Sequence, residues 1–450
     1  MQNPFSRSPK PREGLPVLPG AFPLVGHIPA LYRGAATVLS RARAEHGPLF
    51  WITLGSGTWV LVCTGPEAFD VFRHPAFDSS HLPAISPLVA GHSILALDGP
   101  PHRRMRSALN KPFQPRGLTA GKVGEVTAET LSAMIERWAA AGEARVLPDV
   151  QEAALAIIFG ILGVKPSDLA AWRVHYRALL LANTGIKARF PGSPAVRAER
   201  AKVWIDARFA ELVAGARSHG DRETLLGAIV HAEDDEGHPL ADAEILDNLR
   251  LLVLGGHETI SSALSFMTVE LATHPAAWDA LAAEAVATDH PPVTLAEARR
   301  LPFAEAIFRE SLRLHPPFSL ITRVAIADAE IAGRRVPKGS LVGIDLRGLG
   351  RDPAAFPDPE RVVPQRWIGR DRSPTPLELS PFGAGAHFCL GYHLAWLEAV
   401  SFAATLGRTM GQRGLRPTLT TARPPGSIFL PTEHPPASTK IRFVPREQAA

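Results

Sequence analysis

Residues 381–391 read Pro-Phe-Gly-Ala-Gly-Ala-His-Phe-Cys-Leu-Gly, and a helical pattern follows at 392–404. Three glycines and two phenylalanines surround a single cysteine, Cys389. Glycines let the backbone come close to a bulky group. A cysteine at a helix N-terminus has its thiolate favoured by the dipole and the free N–H groups, and such a thiolate is a good axial ligand for haem iron. Taken alone, Cys389 could also be a free thiol in a loop, whereas the whole pattern favours a ligand of haem iron.

Composition sets the broad class of the protein. Of its 450 residues 46% are hydrophobic and 20% are charged, which excludes a disordered or fibrous chain. The formal net charge of +4 gives no reason to expect nucleic-acid binding. Only 2 cysteines occur, so a disulfide scaffold is excluded and a reducing compartment is indicated.

Two further features concern the compartment. The sequence lacks the run of about eighteen apolar residues that a membrane span requires, so we expect no transmembrane anchor. Residues 1–30 are broken by prolines and lack the apolar stretch of a signal peptide. We expect them to form a proline-rich arm on a cytoplasmic protein. We expect its partners to be small molecules rather than nucleic acid.

The rest of the chain predicts a mainly helical fold. Short β-rich runs at 49–54 and 58–63 flank Gly55-Ser56-Gly57, which indicates a hairpin. Between about 101 and 315 the pattern is mostly helical. We therefore expect one large domain over 1–450, mainly α with a small β lobe (α+β). Its expected parts are an α-rich body at about 101–315 and 392–410 and a β lobe from about 49–63, 324–344 and 427–444.

Residues 382–391 resemble the haem-binding signature of the cytochrome P450 family, Phe-Gly-x-Gly-x-(Arg or His)-x-Cys-x-Gly, at every fixed position. The resemblance implies the cytochrome P450 fold, with haem b as cofactor and Cys389 as the axial ligand of its iron. It also implies that Phe382, Gly383 and Gly391 lie around the cofactor.

A second motif is Glu310-Ser311-Leu312-Arg313, on a predicted helix that ends before Pro316. As an exposed pair, Glu310 and Arg313 would be worth a few tenths of a kcal/mol. The resemblance implies a buried structural triad with Arg366, from the segment Pro-Gln-Arg-Trp at 364–367. Gln365 departs from the usual glutamate, and Val362 stands where an aromatic residue is common.

A third motif, Gly-Gly-His-Glu-Thr at 255–259, lies inside an apolar helix predicted from about 242 to 274. Each glycine costs about 1 kcal/mol relative to alanine in a helix interior, which indicates close approach or a local bulge. The alternative is a simple kink with a capping-type threonine. The resemblance implies that Glu258 and Thr259 are catalytic, in oxygen activation and proton delivery, and that Gly256 lies at the cofactor. Ile260 replaces a second threonine that is often found there.

Cations are expected at the haem propionates. His102 and Arg106 share one face of a predicted helix, and the resemblance implies that they, with Arg323 and His387, hold the propionates. Each would otherwise be a solvated surface cation. Further cations near this helix fit either a docking surface for an acidic redox partner or a solvated face. These are Arg103, Arg104, Lys111 and Arg116.

The resemblance implies a haem-thiolate monooxygenase that uses O2 to hydroxylate or epoxidise a lipophilic small molecule such as a fatty acid, terpenoid, steroid or polyketide. No dinucleotide- or phosphate-binding motif occurs, so electrons are expected from a separate ferredoxin or flavodoxin with an NAD(P)H-dependent reductase. The alternatives are a peroxide-driven peroxygenase and a non-catalytic haem- or carrier-binding domain; the Glu258-Thr259 pair argues against the former. We expect a monomer.

The substrate pocket is expected to be apolar. Loops at 79–95 and 179–190 are candidate walls, and ordinary core packing is the alternative for each residue. The other candidates are Leu252, Ala263, Phe318, Leu320, Ile321, Ile428 and Phe429.

Overall fold

The β-rich runs on either side of Gly55 pair as an antiparallel hairpin, β1 (Leu49–Thr53) and β2 (Trp59–Cys63). The computed structural model describes residues 14–55, 58–82, 91–180, 189–370, 373–429 and 432–446. Every residue of β1 is buried, which explains its continuous apolar sequence.

Three more strands complete this sheet. Strand β8 (Leu341–Asp345) runs parallel to β2, and β5 (Leu320–Ala325) is antiparallel to β8. The short β3 (Phe77–Asp78) pairs with β5 at the edge, so the strand order is β1-β2-β8-β5-β3. Strands from the beginning of the chain and from its last third therefore form one sheet, with an apolar cluster on each face.

The C-terminal strands do not join that sheet, which corrects the expected single β lobe. Strand β12 (Lys440–Pro445) lies between β9 (Leu415–Leu419) and β4 (Glu143–Arg145). Buried and exposed residues alternate along β12, and the buried Ile441 and Phe443 pack in the helical core. Its partner β4 lies between two helices, where the local sequence pattern does not predict a strand.

Two small antiparallel pairs complete the sheets of the described residues. They are β6 (Ala329–Ile331) with β7 (Arg334–Val336), and β10 (Ile428–Phe429) with β11 (Glu433–His434).

Helices make up most of the rest. In chain order they are α1 (Ile28–His46), α2 (Ala68–Val71), α3 (Gly99–Phe113), α4 (Pro115–Ala120), α5 (Val123–Ala141), α6 (Val146–Ile161), α7 (Leu169–Leu180), α8 (Pro194–Ser218), α9 (Leu225–Val230), α10 (Asp242–Thr273), α11 (Pro275–Val286), α12 (Leu295–Ala298), α13 (Pro302–Leu314), α14 (Leu346–Leu349) and α15 (Tyr392–Gln412).

Helix α10 is the axis of the helical core. It is 32 residues long and continues through Gly255 and Gly256 without a break. Side chains from α6, α10, α13 and α15 form one apolar cluster around it. Within the part of the chain that the structure describes, none of the helices has the length and apolar character needed to cross a membrane. The predicted mainly α class with a small sheet region is confirmed.

Candidate active site

The cysteine loop is held in a tight conformation before α15. The backbone N–H of Cys389 donates to the carbonyl of Phe382 at 2.9 Å. Gly383 and Gly385 have φ of 74° and 67°, a region that favours glycine. A Cβ on Gly385 would lie 2.6 Å from the backbone oxygen of Phe72, so only glycine fits there.

The thiol of Cys389 faces a cavity of about 310 Å³. Burial raises the pKa of Cys389, while the N–H of Gly391 and the positive charge of Arg106 lower it. The thiol therefore needs an additional positive charge to exist as a thiolate, and a bound metal ion supplies one.

Most of the predicted site residues line this cavity together. They are Leu252, Gly256, Thr259, Ala263, Phe318, Ile321, His102, Arg106, Arg323, Phe382, Gly383, His387, Cys389 and Gly391. Apolar residues that the sequence did not single out complete the walls, among them Phe72, Phe308 and Leu312. Of the candidate loop at 79–95, Ile94 and Leu95 contribute, and residues 83–90 lie outside the described residues.

Two predicted pocket residues with described side chains, Leu320 and Ile428, do not line the cavity. Leu320 instead packs towards Gly343 of the neighbouring strand. Because successive residues of a strand point to opposite faces, Ile321 and Arg323 face the cavity and Leu320 faces away. Ile428 pairs with His434 in β10 and β11, and the side chain of Phe429 lies outside the described residues.

In the other candidate loop, at 179–190, none of the described residues lines this cavity. Leu179 lines a separate small gap beside Phe159 and Tyr176, between α6 and α7. Residues 181–188 lie outside the described residues.

Cationic side chains gather at one end of the cavity. Arg106 donates to the carbonyl of Phe388 at 2.6 Å, and Arg323 donates to the carbonyl of Thr322 at 2.9 Å. Burial lowers the pKa of both guanidinium groups. Among the described residues, neither has a carboxylate within ion-pair distance, so an anion in the cavity would be strongly favoured.

Two histidines lie beside these arginines. The rings of His102 and His387 are 4.2 Å apart between centroids. His387 Nε2 donates to Asp98 Oδ1 at 2.9 Å, while the buried Nε2 of His102 has no hydrogen-bond partner among the described residues. Burial, with the nearby charges of His387 and Arg106, lowers the pKa of His102 to about 4.

These features test whether haem fits. Haem offers an iron for an axial ligand and two propionates for cations. Cys389 would supply the ligand, and Arg106, Arg323 and His102, which have no carboxylate partner among the described residues, would supply charges and a hydrogen-bonding nitrogen. The residues present fit the group.

The two glycines of α10 serve different purposes. A Cβ on Gly256 would lie 2.9 Å from Cδ1 of Ile158, so this glycine allows close packing of α6 on α10. A Cβ on Gly255 would meet nothing within 4 Å, because this residue borders the cavity.

Glu258 and Thr259 point in different directions. The Thr259 hydroxyl donates to the carbonyl of Gly255, and its side chain lines the cavity. Glu258 is 6% exposed and does not line the cavity; its Oε1 lies 2.9 Å from Nδ1 of His257.

Glu310, on α13, contacts both Arg313 and Arg366. Arg313 binds both carboxylate oxygens of Glu310, and Arg366 Nε donates to Oε1 at 3.1 Å. The sequence reasoning missed Trp367, whose Nε1 donates to Oε2 at 2.8 Å. Its place next to Arg366 was the signal that could have found it.

The candidate docking surface for an acidic redox partner has fewer available cations than expected. Arg104 Nε lies 3.1 Å from Asp234, and its Nη1 lies 2.8 Å from Glu244, so its charge is already neutralised. Arg103, Lys111 and Arg116 are exposed.

The chain is similar to known proteins over most of its length. The family described as Cytochrome P450 matches residues 16–170 and 196–407. Cytochrome P450 BJ-4 homolog from Sinorhizobium fredii is 36% identical over 441 residues, which cover 98% of this chain and 99% of the relative. Cyclooctat-9-en-7-ol 5-monooxygenase from Streptomyces melanosporofaciens is 30% identical over 405 residues, 86% of this chain and 87% of the relative.

A solved structure has the same fold. It is titled "Retinoic acid bound cyanobacterial CYP120A1" and aligns with a TM-score of 0.83 at 24% identity. The alignment covers 96% of this chain and 100% of that chain.

Proposed function

Because the chain belongs to the cytochrome P450 family and is a monooxygenase of that family, we propose that it uses haem b, ligated by Cys389, to oxidise an apolar small molecule with O2. The observation that carries the proposal is the Cys389 thiol facing a cavity that is also lined by Arg106 and Arg323, neither of which has a carboxylate within ion-pair distance among the described residues.

Replacing each of the two cysteines in turn tests the ligand. The reduced protein should show the long-wavelength carbon monoxide band of a haem thiolate, and Cys389→Ala should abolish it. Cys63→Ala is the matched control, because Cys63 is fully buried in the β sheet and burial raises its pKa to about 12. A band that survives in Cys389→Ala would exclude Cys389 as the ligand.

Haem, when bound, supplies the iron at which O2 is activated, and a thiolate ligand favours cleavage of the O–O bond. The side chains of this protein hold and orient the cofactor: Arg106, Arg323, His102 and His387 would receive its propionates. The apolar walls exclude water from the reacting atoms.

Thr259 and Glu258 are proposed to deliver protons. Thr259 lines the cavity, and its hydroxyl, which donates to the carbonyl of Gly255, can also accept a hydrogen bond. Glu258, the next residue on α10, is a titratable group buried behind it. Thr259→Ala should keep the carbon monoxide band and divert electrons into hydrogen peroxide. Fully coupled turnover in that variant would contradict the role of Thr259.

The substrate is proposed to be lipophilic. Leu252, Ala263, Phe318 and Ile321 contribute aliphatic and aromatic surface to the cavity wall. One relative is named for a 5-monooxygenase reaction on cyclooctat-9-en-7-ol, an alcohol with a largely hydrocarbon skeleton. Titration of a library of apolar and charged compounds, with the haem absorption spectrum as the readout, tests this class; shifts caused mainly by charged compounds would contradict it.

Electrons are proposed to come from a separate ferredoxin or flavodoxin and its NAD(P)H-dependent reductase, in the cytoplasm. The support is the absence of a nucleotide-binding motif in the sequence and the exposed cations Arg103, Lys111 and Arg116. Product formation with NADPH and a surrogate ferredoxin system should exceed product formation with hydrogen peroxide alone. The opposite ranking would favour a peroxygenase.

A further inference from the structure

Apolar side chains are exposed together near the beginning of the described chain. Among the described residues thirteen large apolar side chains are strongly exposed, and five of them lie between positions 22 and 32. Single exposed apolar residues are normal on protein surfaces, whereas a cluster marks a surface that contacts something else. We call this cluster the apolar tip. Its members are Phe22, Leu24, Val25, Ile28 and Tyr32, which are 53%, 81%, 44%, 47% and 55% exposed.

The apolar tip is one surface because its residues belong to a turn and to the helix that follows it. Phe22 and Gly26 exchange two backbone hydrogen bonds of 2.9 Å, which close a turn with Leu24 between them. Helix α1 begins at Ile28, and Ile28 and Tyr32 are four residues apart, so they share a face of the helix. The turn and the start of α1 therefore present their apolar side chains side by side.

The turn is attached firmly to the β sheet. His27 is buried, and its Nδ1 accepts from the backbone N–H of Thr53 at 3.1 Å. The Nε2 of the neutral ring therefore carries the hydrogen and donates to the carbonyl of Leu18 at 3.0 Å. A Cβ on Gly26 would overlap the backbone oxygen of Thr53, so only glycine allows this close approach to β1. The fold thus fixes the position of the apolar tip.

The most exposed residue of the apolar tip has a backbone conformation that costs energy. Leu24 has a φ of 65°, in the left-handed region that a bulky side chain rarely adopts. Asparagine adopts this region more readily and interacts better with water. Because the backbone and the solvent would both favour a polar residue here, the leucine points to an apolar partner outside the chain.

Positive charge accompanies the apolar tip in the sequence. Residues 1–46, up to the end of α1, contain six lysines and arginines and two glutamates. Their net charge of +4 equals that of the whole chain, so the rest of the chain is neutral in sum. Arg12 precedes the tip, and Arg33 follows Tyr32 directly. The partner is therefore expected to combine apolar groups with negative charge, as an anionic lipid surface does.

We propose that the apolar tip inserts into the surface of an anionic lipid bilayer, whose headgroups attract the cations of residues 1–46. A turn that exposes Leu24 this fully offers a partner no pocket, and lipid chains need none. Phe22 and Tyr32 are of the aromatic type that binds well at the boundary between headgroups and acyl chains. This contact is independent of the proposed function, because it requires neither haem nor substrate.

Flotation of the purified protein with lipid vesicles tests the proposal without turnover. We expect binding to vesicles of mixed phosphatidylcholine and phosphatidylglycerol. Binding to vesicles of phosphatidylcholine alone should be several-fold weaker, and added salt should weaken binding to the anionic vesicles. Failure to bind the anionic vesicles would overturn the inference and leave the proposed function untouched.

Substitutions in the turn show whether the apolar tip makes the contact. Leu24→Asn should keep the fold, because asparagine adopts the left-handed region readily, and should weaken binding to the anionic vesicles several-fold. Phe22→Ser should do the same. Val203→Asn is the matched control, because Val203 is 71% exposed but lies on α8, and it should bind as the unchanged protein. Thermal unfolding checks that each variant is folded.

Two results would contradict the role of the apolar tip. The first is unchanged vesicle binding in both Leu24→Asn and Phe22→Ser. The second is a dimer in sedimentation velocity experiments that dissociates in Leu24→Asn, since the tip would then be covered by a second copy of the chain instead of lipid.

Discussion

Arg313 donates to both carboxylate oxygens of Glu310, from Nε at 2.9 Å and from Nη2 at 2.8 Å, and the two side chains are at most 2% exposed. The same carboxylate accepts from the backbone N–H of Val363 and from the side chains of Arg366 and Trp367. Helix α13 is thereby attached to the segment that leads into the cysteine loop.

Removing one partner of this buried pair should be costly. Arg313→Ala leaves the Glu310 carboxylate buried without its main partner, and we expect a loss of about 3–5 kcal/mol in the free energy of unfolding, with reduced haem content. The control is Arg335→Ala, since Arg335 and its partner Asp328 are 73% and 51% exposed. That change should cost less than about 1 kcal/mol. Equal losses in urea unfolding of the two variants would contradict the structural role of the triad.

The two glycines of α10 should respond differently to alanine. Gly255→Ala gains about 1 kcal/mol of helix propensity with no contact to displace, although its methyl group narrows the cavity. Gly256→Ala makes the same gain but must displace Ile158, so we expect it to be less stable than Gly255→Ala by about 1–3 kcal/mol. Thermal unfolding of both variants measures this difference; a more stable Gly256→Ala would show that Ile158 moves without cost.

The site residues could be predicted because their motifs resemble those of the family. The roles of Cys389, Thr259 and the cations were implied by that resemblance, and the structure brings these residues to one cavity. Helix α10 was also predicted closely, because its apolar run is long and continuous.

Contacts between distant segments of the chain could not be predicted from the sequence. The approach of Ile158 to Gly256 joins two helices about a hundred residues apart, and the pairing of β4 with β12 joins strands even more distant. Such contacts depend on how the whole core packs and not on the local sequence pattern. Leu320 was placed on the wrong face of a strand that was itself expected. Which face of that strand meets the cavity depends on the register of the strand in the sheet.

Charge reversal tests the proposed docking surface. Arg103→Glu, Lys111→Glu and Arg116→Glu should each slow reduction by an acidic ferredoxin several-fold at low ionic strength, with the difference shrinking as salt is added. Arg335→Glu, an exposed change elsewhere, is the control. Rates should be measured by stopped-flow absorbance. Slowing that does not depend on salt would argue against an electrostatic docking surface.

Glu398 predicts a pH dependence of stability. It lies on α15 at the cavity wall, is 3% exposed, and burial raises its pKa to about 8 from an ordinary value of 4.5. The folded protein therefore binds this proton more tightly than the unfolded chain does. Stability should be unaffected by this group below about pH 4.5, fall as the pH rises towards 8, and stay low above that value.

Glu398→Gln should remove this slope, because the amide resembles the protonated carboxyl and does not ionise. We expect similar stabilities near pH 5 and an advantage for the variant of about 3–5 kcal/mol near pH 9, measured by urea unfolding across that range. Burial also raises the pKa of Asp345 to about 6, but Asp345 is present in both proteins and cancels in the comparison. The exposed Glu129→Gln should follow the unchanged protein at every pH. Parallel curves for the unchanged protein and Glu398→Gln would mean that Glu398 ionises without cost and finds a counter-charge in the loaded site.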